Sequence, residues 1–443
     1  MDRRDVVGSL SPEEKRELAK RLLREQSAQA GLERAPGGEG ALPKSHYRLD
    51  HHPMFVNVLR AAEALAFDDP YFRSHEGLAR DTTNIAGREY INFSNYNYLG
   101  LSGHPALTAA VSEAVQRYGT SVSASRMVGG QRPIHRDLER VLAELHGVED
   151  ALVMVSGYGT NVTAIAHLFG PKDLILHDAL IHNSVIMGAV LSGARRIPFR
   201  HNDWQAVDDL LRRNRRDYER VLVVVEGIYS MDGDFPDLPS FVELRNRHKV
   251  FLMVDEAHSV GVMGKRGGGI RDHFGLSGED VDIWMGTLSK ALASCGGYVA
   301  GSSALTHMLK YTAPGFVFSV GQSPADAAAA LAAIGVMRAE PDRVARLQQR
   351  GRLFLKLARE RGLPTGLSQG YSVVPLIVGE TARCVKLTEA LFRRGIHVQP
   401  ILYPAVDERS VRLRFFVTCT HTEEQIRQAI DIIDEEWRAL RDK

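Results

Sequence analysis

From about residue 104 the chain alternates between two hydrophobic patterns. Short, mostly apolar runs occur at 151–155, 173–176, 195–198, 221–225, 250–254 and 283–285. Between them, 161–168, 183–192 and 204–214 read as helices. Strands and helices alternating at this spacing predict an α/β domain with a large, mainly parallel sheet and helices on both faces. Ligands of such sheets bind beyond the carboxyl ends of the strands. The polar residues that follow each apolar run are therefore the ones that carry information about chemistry.

The texture changes after about residue 323. Helical patterns cover 324–337 and 341–361, then a strand 372–378, a helix 383–394, strands 398–402 and 411–417, and a closing helix 422–441. This predicts a smaller C-terminal α+β unit. The first 45 residues differ again. Ser11-Pro12-Glu13-Glu14 is a capping-box start with proline at the first helical position, and Leu18, Leu22 and Leu23 follow as a short apolar stripe. Residues 31–43 are rich in Gly and Pro and read as a linker. A tethered amphipathic helix is expected there, either merely solvated or serving to dock a partner.

Composition removes several classes. The 443 residues carry 55 Lys plus Arg against 54 Asp plus Glu, a net charge of +1, which gives no electrostatic case for nucleic acid or an anionic membrane. Hydrophobic residues at 44% and charged residues at 25% exclude a disordered chain. Cys295, Cys384 and Cys419 are widely spaced with no CxxC, so neither a disulfide framework nor a structural zinc site is expected. The longest uncharged stretch, 151–171, contains Ser156, Gly157, Thr160 and Asn161, which argues against a membrane span. No signal-peptide core is present, and a cytoplasmic location is expected.

Four segments follow strands. Ser156-Gly157-Tyr158-Gly159-Thr160-Asn161 is a small-residue loop before a helix. It is either a plain tight turn or a phosphate cradle built from backbone amides. His177-Asp178-Ala179-Leu180-Ile181-His182 has two histidines five apart, a spacing that fits no standard zinc pattern. One pocket histidine, or a core histidine, is the alternative. Asp255-Glu256-Ala257-His258 places a carboxylate at a strand's carboxyl end. The same string occurs in helicase ATPases, but those need a GxxxxGK[ST] loop upstream and none exists here. Gly286-Thr287-Leu288-Ser289-Lys290 offers a lysine among small hydroxylic neighbours, suited to a lowered pKa and Schiff-base chemistry. A phosphate cradle, a stacking side chain, a carboxylate for a ring nitrogen and such a lysine are together the parts of a pyridoxal 5'-phosphate (PLP) site.

The strings INFSNYNYLGL (91–101), SRMVGG (125–130), HRDLE (135–139), EGIYSMDGD (226–234), VDEAHSVGVMG (254–264) and GTLSKALASCGGY (286–298) resemble the α-oxoamine synthases, fold-type I PLP enzymes, over residues 90–436. The resemblance implies a homodimeric acyltransferase with a large PLP-binding domain at 104–322 and a small domain at 323–443. A tethered helix at 1–45 and a lead-in segment at 46–103 precede them. It implies that Lys290 is the Schiff-base lysine that also moves the Cα proton. Asp255 would pair with the ring nitrogen, His258 with the phenolic oxygen beside Ser230, and His182 would stack on the ring and help position the acyl carbonyl. Gly157, Tyr158 and Thr287 would hold the phosphate, and Arg414 the amino-acid carboxylate. Ser319 would reach the phosphate of a neighbouring subunit.

The implied reaction is a decarboxylating Claisen condensation of an amino acid with an acyl thioester, on CoA or a carrier protein, giving an α-amino ketone. The alternative is a fold-type I aminotransferase or an aldolase-type PLP enzyme. The opening string 10–15 also resembles starts of domains in modular polyketide and peptide synthetases, which implies a carrier-protein partner and secondary metabolism. Three departures from the family pattern bear on the substrate pockets. Tyr96 stands where several members have Asn, as in the serine palmitoyltransferase branch, and is a candidate substrate contact. Ala405 replaces a common Thr. Pro314-Gly315-Phe316 replaces the usual Arg-Pro-Tyr.

Overall fold

A computed structural model of the chain describes residues 42–65, 70–403 and 405–441. The tethered-helix segment 1–41 lies outside these residues. The chain divides into two units, Met1–Ala66 and Phe67–Lys443. In the first, two short 3-10 turns (Lys44–His46 and Leu49–His51) precede helix α1 (Pro53–Leu65).

The second unit is built on a seven-stranded sheet. Its strands are β3 (Asp150–Met154), β4 (Leu174–Asp178), β5 (Arg195–Phe199), β6 (Val221–Glu226), β7 (Phe251–Asp255), β8 (Ile283–Thr287) and β9 (Gly297–Gly301), in the order β3-β9-β8-β7-β6-β4-β5. Strands β8, β7, β6, β4 and β5 are parallel, and β9 runs antiparallel to both neighbours. The apolar runs were legible because both sheet faces are buried. In β6, Val221, Val223 and Val225 enter one core cluster and Leu222 and Val224 the other. Strand β9 escaped notice because glycines bound it. Gly297 is there for close approach, since a Cβ at that position would lie 2.6 Å from the Gly157 Cα.

Helices α2 (Pro105–Tyr118) and α3 (Pro133–His146) precede β3, and α4 (Gly157–Leu168), α5 (Asn183–Ser192), α6 (Trp204–Asn214) and α7 (Leu238–His248) cross between strands. The short α8 (Gly269–Phe274), α9 (Ser303–Thr312) and α10 (Pro314–Val317) follow. The alanine-rich α11 (Pro324–Ala339) packs on α2 and α3, with Ala327, Ala330 and Ala333 in the same core cluster as Leu138 and Leu142.

A smaller antiparallel sheet has the order β10-β13-β12, with β10 (Val373–Ile377), β12 (Gln399–Ile401) and β13 (Arg412–Phe416). It shares a core with α12 (Asp342–Glu360), α13 (Thr381–Arg393) and α14 (Glu423–Arg441). The strand expected at 398–402 is present as β12, and a further two-residue strand precedes it. Strand β11 (Ile396–His397) pairs parallel with β2 (Arg88–Asn92), whose other neighbour is β1 (Thr82–Ile85), while β12 joins β13. No helix among the described residues is long and apolar enough to cross a membrane.

Candidate active site

The site forms at the carboxyl ends of the parallel strands. After β3, Ser156 caps helix α4 by accepting the Gly159 N–H on its Oγ at 3.1 Å. Gly157, Tyr158 and Gly159 therefore belong to the first helical turn, not to a loop as the sequence suggested. The amides of such a turn lack intrahelical partners and the helix dipole favours an anion beside them. Thr287, the last residue of β8, forms the facing wall. A Cβ on Gly157 would sit 2.8 Å from the Thr287 Oγ1, so only glycine leaves the approach open. The Thr287 hydroxyl donates to the Gly296 carbonyl at 3.0 Å and lies 2.7 Å from the Ser289 Oγ.

These groups line a cavity of about 300 Å³ together with Asn161, His182, Asp255, His258 and Lys290. A larger cavity of about 420 Å³ opens at the opposite, amino-terminal ends of the strands, beside Phe251 and Ile283. It holds none of the expected site residues, so the smaller one is the candidate site.

Asp255 ends β7 and is almost fully buried. Its Oδ2 accepts the Asn161 side-chain amide at 2.8 Å and its Oδ1 the Ala257 N–H at 2.9 Å. Both bonds fix the carboxylate's orientation, and lone pairs remain for a cationic ring N–H. Asn161 also donates to the Ser184 Oγ at 2.9 Å, which fixes its orientation. Its importance was not read from the sequence, although its position one helical turn beyond Gly157 places it on the face toward the strand ends.

Burial lowers the Lys290 ammonium to about 8, against the opposing pull of Asp255 and Glu226. Its Nζ lies 5.8 Å from the centre of the Tyr96 ring. His182 caps helix α5, with its Nδ1 accepting from the Ser184 hydroxyl at 2.7 Å and from the Ser184 N–H at 3.3 Å. Burial lowers its pKa, so the neutral ring carries its proton on Nε2. His258 is pushed well below the usual histidine range by burial and by Lys290, and its Nδ1 meets the buried Tyr98 hydroxyl at 2.8 Å. His177 is buried, its Nδ1 on the Asp178 carbonyl at 2.7 Å, and does not line the cavity.

Glu226, at the end of β6, was not singled out from the sequence. It accepts the His182 N–H at 2.7 Å and the Ser230 N–H at 3.3 Å. Burial, then Asp255, raises its pKa well above the carboxylic range.

Arg414 on β13 borders the site from the small sheet. It donates to the Ser230 carbonyl at 3.1 Å and stacks over Phe416 at 4.7 Å, and its Nε is buried without a partner. Tyr96 packs against the same Phe416 ring, with centroids 4.7 Å apart. Ser319 lines a separate small cleft with Phe316 and Gln322, so within one chain it does not reach the cavity.

The donor set fits PLP. A glycine-lined amide cradle with a hydroxyl wall, an oriented carboxylate, two neutral imidazoles and a buried lysine of lowered pKa share one cavity.

Comparison with known proteins agrees. A family model described as aminotransferase class I and II matches residues 88–433. The 8-amino-7-oxononanoate synthase of Symbiobacterium thermophilum is 40% identical over 351 residues, 79% of this chain and 89% of its own. A serine palmitoyltransferase of Bacteroides ovatus is 34% identical over 371 residues, 84% of this chain and 93% of its own. Among solved structures, the Sphingomonas wittichii serine palmitoyltransferase superposes with a TM-score of 0.84 at 29% identity, covering 90% of this chain and 99% of that one. A structure of SPT with its PLP internal aldimine gives a TM-score of 0.83 at 27% identity, covering 87% and 98%.

Proposed function

Because the chain belongs to the aminotransferase class I and II family, and within it to the α-oxoamine synthases, we propose that it joins glycine, alanine or serine to an acyl thioester. The reaction is a PLP-dependent decarboxylating Claisen condensation. A Cα–H bond of the amino acid gives way to a Cα–acyl bond. The C–S bond of the thioester breaks and the thiol leaves. The amino-acid carboxyl departs as carbon dioxide, a proton takes its place on Cα, and an α-amino ketone remains.

The observation that carries this reading is the meeting of Lys290, Asp255 and His182 in one cavity with the amide cradle of α4. Bound PLP supplies an electron sink for the negative charge that develops at Cα. Gly157, Tyr158 and Thr287 hold its phosphate. Asp255 keeps a proton on the ring nitrogen, and the Asn161 amide holds that carboxylate in place. His258 and Ser230 serve the phenolic oxygen. Lys290 anchors the cofactor and then takes the Cα proton on Nζ, a task suited to its value of about 8. His182 covers the ring face and offers Nε2–H to the acyl carbonyl. Arg414 clamps the amino-acid carboxylate with a bidentate fork. Tyr96, whose ring centre lies 5.8 Å from the Lys290 Nζ, is placed to contact the amino-acid substrate.

Two finer points belong to this reading. In a homodimer Ser319 reaches the partner's phosphate, and the nearly bare Phe318 side chain beside it is 86% exposed in the single chain. The acyl group arrives on a carrier protein that docks on the segment 1–45. Deleting that segment then weakens use of a carrier-bound donor and spares cofactor binding, whereas unchanged carrier-dependent activity removes the docking role.

The reaction itself is tested by thiol release from the holoenzyme. Release must require both an amino acid and an acyl thioester. Amino-group transfer to a keto acid without thiol release would instead identify an aminotransferase.

A further inference from the structure

One ionic cluster beside the site takes no part in the chemistry above. His201, just past β5, places its Nδ1 2.8 Å from the Asp178 Oδ1 and its Nε2 2.9 Å from the Asp234 Oδ2. The side chains are 14%, 0% and 6% exposed, so solvent barely screens them. An ionised carboxylate only accepts hydrogen bonds. Two of them on opposite nitrogens of one ring require both N–H groups, which is the imidazolium form. Burial opposes that charge, but the two hydrogen bonds prevail and raise the ring to about 10. The third titratable group facing the ring is Tyr229, edge-on at 4.5 Å.

Each aspartate shapes a different wall of the site. The Asp178 Oδ1 also accepts the Leu180 N–H at 2.8 Å, which folds the turn that presents His182. Asp234 closes the turn 229–234, where its carbonyl accepts the Tyr229 N–H at 2.9 Å and the Tyr229 carbonyl accepts the Gly233 N–H at 2.8 Å. That turn supplies the Ser230 carbonyl to Arg414 and the Met231 carbonyl to Arg412 at 3.1 Å. Asn202 completes the bridge. It adopts φ 54°, a left-handed conformation that asparagine tolerates, and donates its N–H to Asp178 and its side-chain amide to Asp234, each at 2.8 Å.

We propose that His201 is a positioning residue, a buried imidazolium that fastens the turn presenting His182 to the turn that seats Arg414. It touches no reacting group. Its removal would leave two carboxylates facing each other without a cation, and both turns would shift. The inference depends on the proposed reaction only for what His182 and Arg414 do.

The test uses the holoenzyme, with amino-acid affinity read from the cofactor's visible absorbance and turnover from thiol release. His201→Gln should retain the cofactor absorbance, weaken amino-acid binding and lower kcat, together costing about 10²-fold in kcat/KM. Adding Asp234→Asn removes one of the opposed charges and should recover part of the loss. Nitrogen-15 NMR of the wild-type ring should show both nitrogens protonated at about pH 8, well above the ordinary histidine value of 6.5. Wild-type behaviour in His201→Gln, a double variant worse than the single one, or a ring neutral at that pH would each overturn the proposal. If the variants fail to fold, the wild-type NMR measurement decides. A wild-type enzyme that releases no thiol would count against the reaction alone, because the binding and NMR measurements still judge the clamp.

Discussion

The Asn161 side-chain amide donates to the Asp255 carboxylate at 2.8 Å from a helix whose first turn is also the proposed phosphate cradle. In the proposed reading, the phosphate end and the ring-nitrogen end of the cofactor would be held by one rigid element. Asn161→Ala should remove a charge-assisted bond worth about 1.5–3 kcal/mol and weaken PLP binding roughly ten- to hundredfold. Titration of the apo-protein with PLP, followed by absorbance, checks this. An unchanged affinity would mean that Asp255 needs no such support.

The glycine pair behind the cradle makes a steric prediction. A Cβ at Gly297 would meet the Gly157 Cα and the Thr160 Oγ1, both at 2.6 Å. Gly297→Ala must push the first turn of α4 outward, at a cost of about 1–3 kcal/mol. PLP affinity should fall, while amino-acid KM at saturating PLP changes little. A loss confined to amino-acid binding would contradict the placement of the phosphate.

Arg414 should govern amino-acid affinity. A bidentate carboxylate contact at about 1.5 kcal/mol or more per charge-assisted bond predicts a roughly hundredfold rise in amino-acid KM for Arg414→Ala. Arg414→Lys should recover little of it, because a point charge cannot reproduce the fork. Steady-state kinetics with varied amino acid measures this, and an effect on the thioester KM alone would assign the arginine elsewhere.

Lys290 links the site to a pH-dependent stability. In the apo-protein, burial holds its ammonium at about 8 against the ordinary 10.5 of an unfolded lysine. Below about 8 both states carry the proton. Between 8 and 10.5 only the unfolded state does, so stability rises with pH across that window and levels off above it. The relief amounts to about 3 kcal/mol at roughly 1.4 kcal/mol per tenfold. Denaturant unfolding of apo wild type and Lys290→Met across this range should differ by that slope. Parallel curves would show that the lysine is not buried as described.

Much of this was legible in the sequence. The valine run of β6 and the apolar run of β7 announced strands buried on both faces, and Asp255 followed as the residue that ends β7 and Lys290 as one just past β8. What escaped depended on neighbours distant in the chain. Strand β9 is short, begins and ends on glycine, and is held by pairing with both β3 and β8. Strand β11 is only two residues long and is set by its pairing with β2, in a different sheet from β12. Glu226 and His201 looked like ordinary polar residues, and only folding brings them to the His182 and Ser230 turns.

The central claim is a carbon–carbon bond made with loss of one carboxyl. It is tested most directly by supplying the holoenzyme with an acyl thioester and with glycine, alanine or serine labelled with carbon-13 at the carboxyl carbon, and following thiol, carbon dioxide and organic product together. The account predicts one thiol and one labelled carbon dioxide per turnover, and an unlabelled α-amino ketone. Label retained in a keto acid, or carbon dioxide released without thiol, would contradict it.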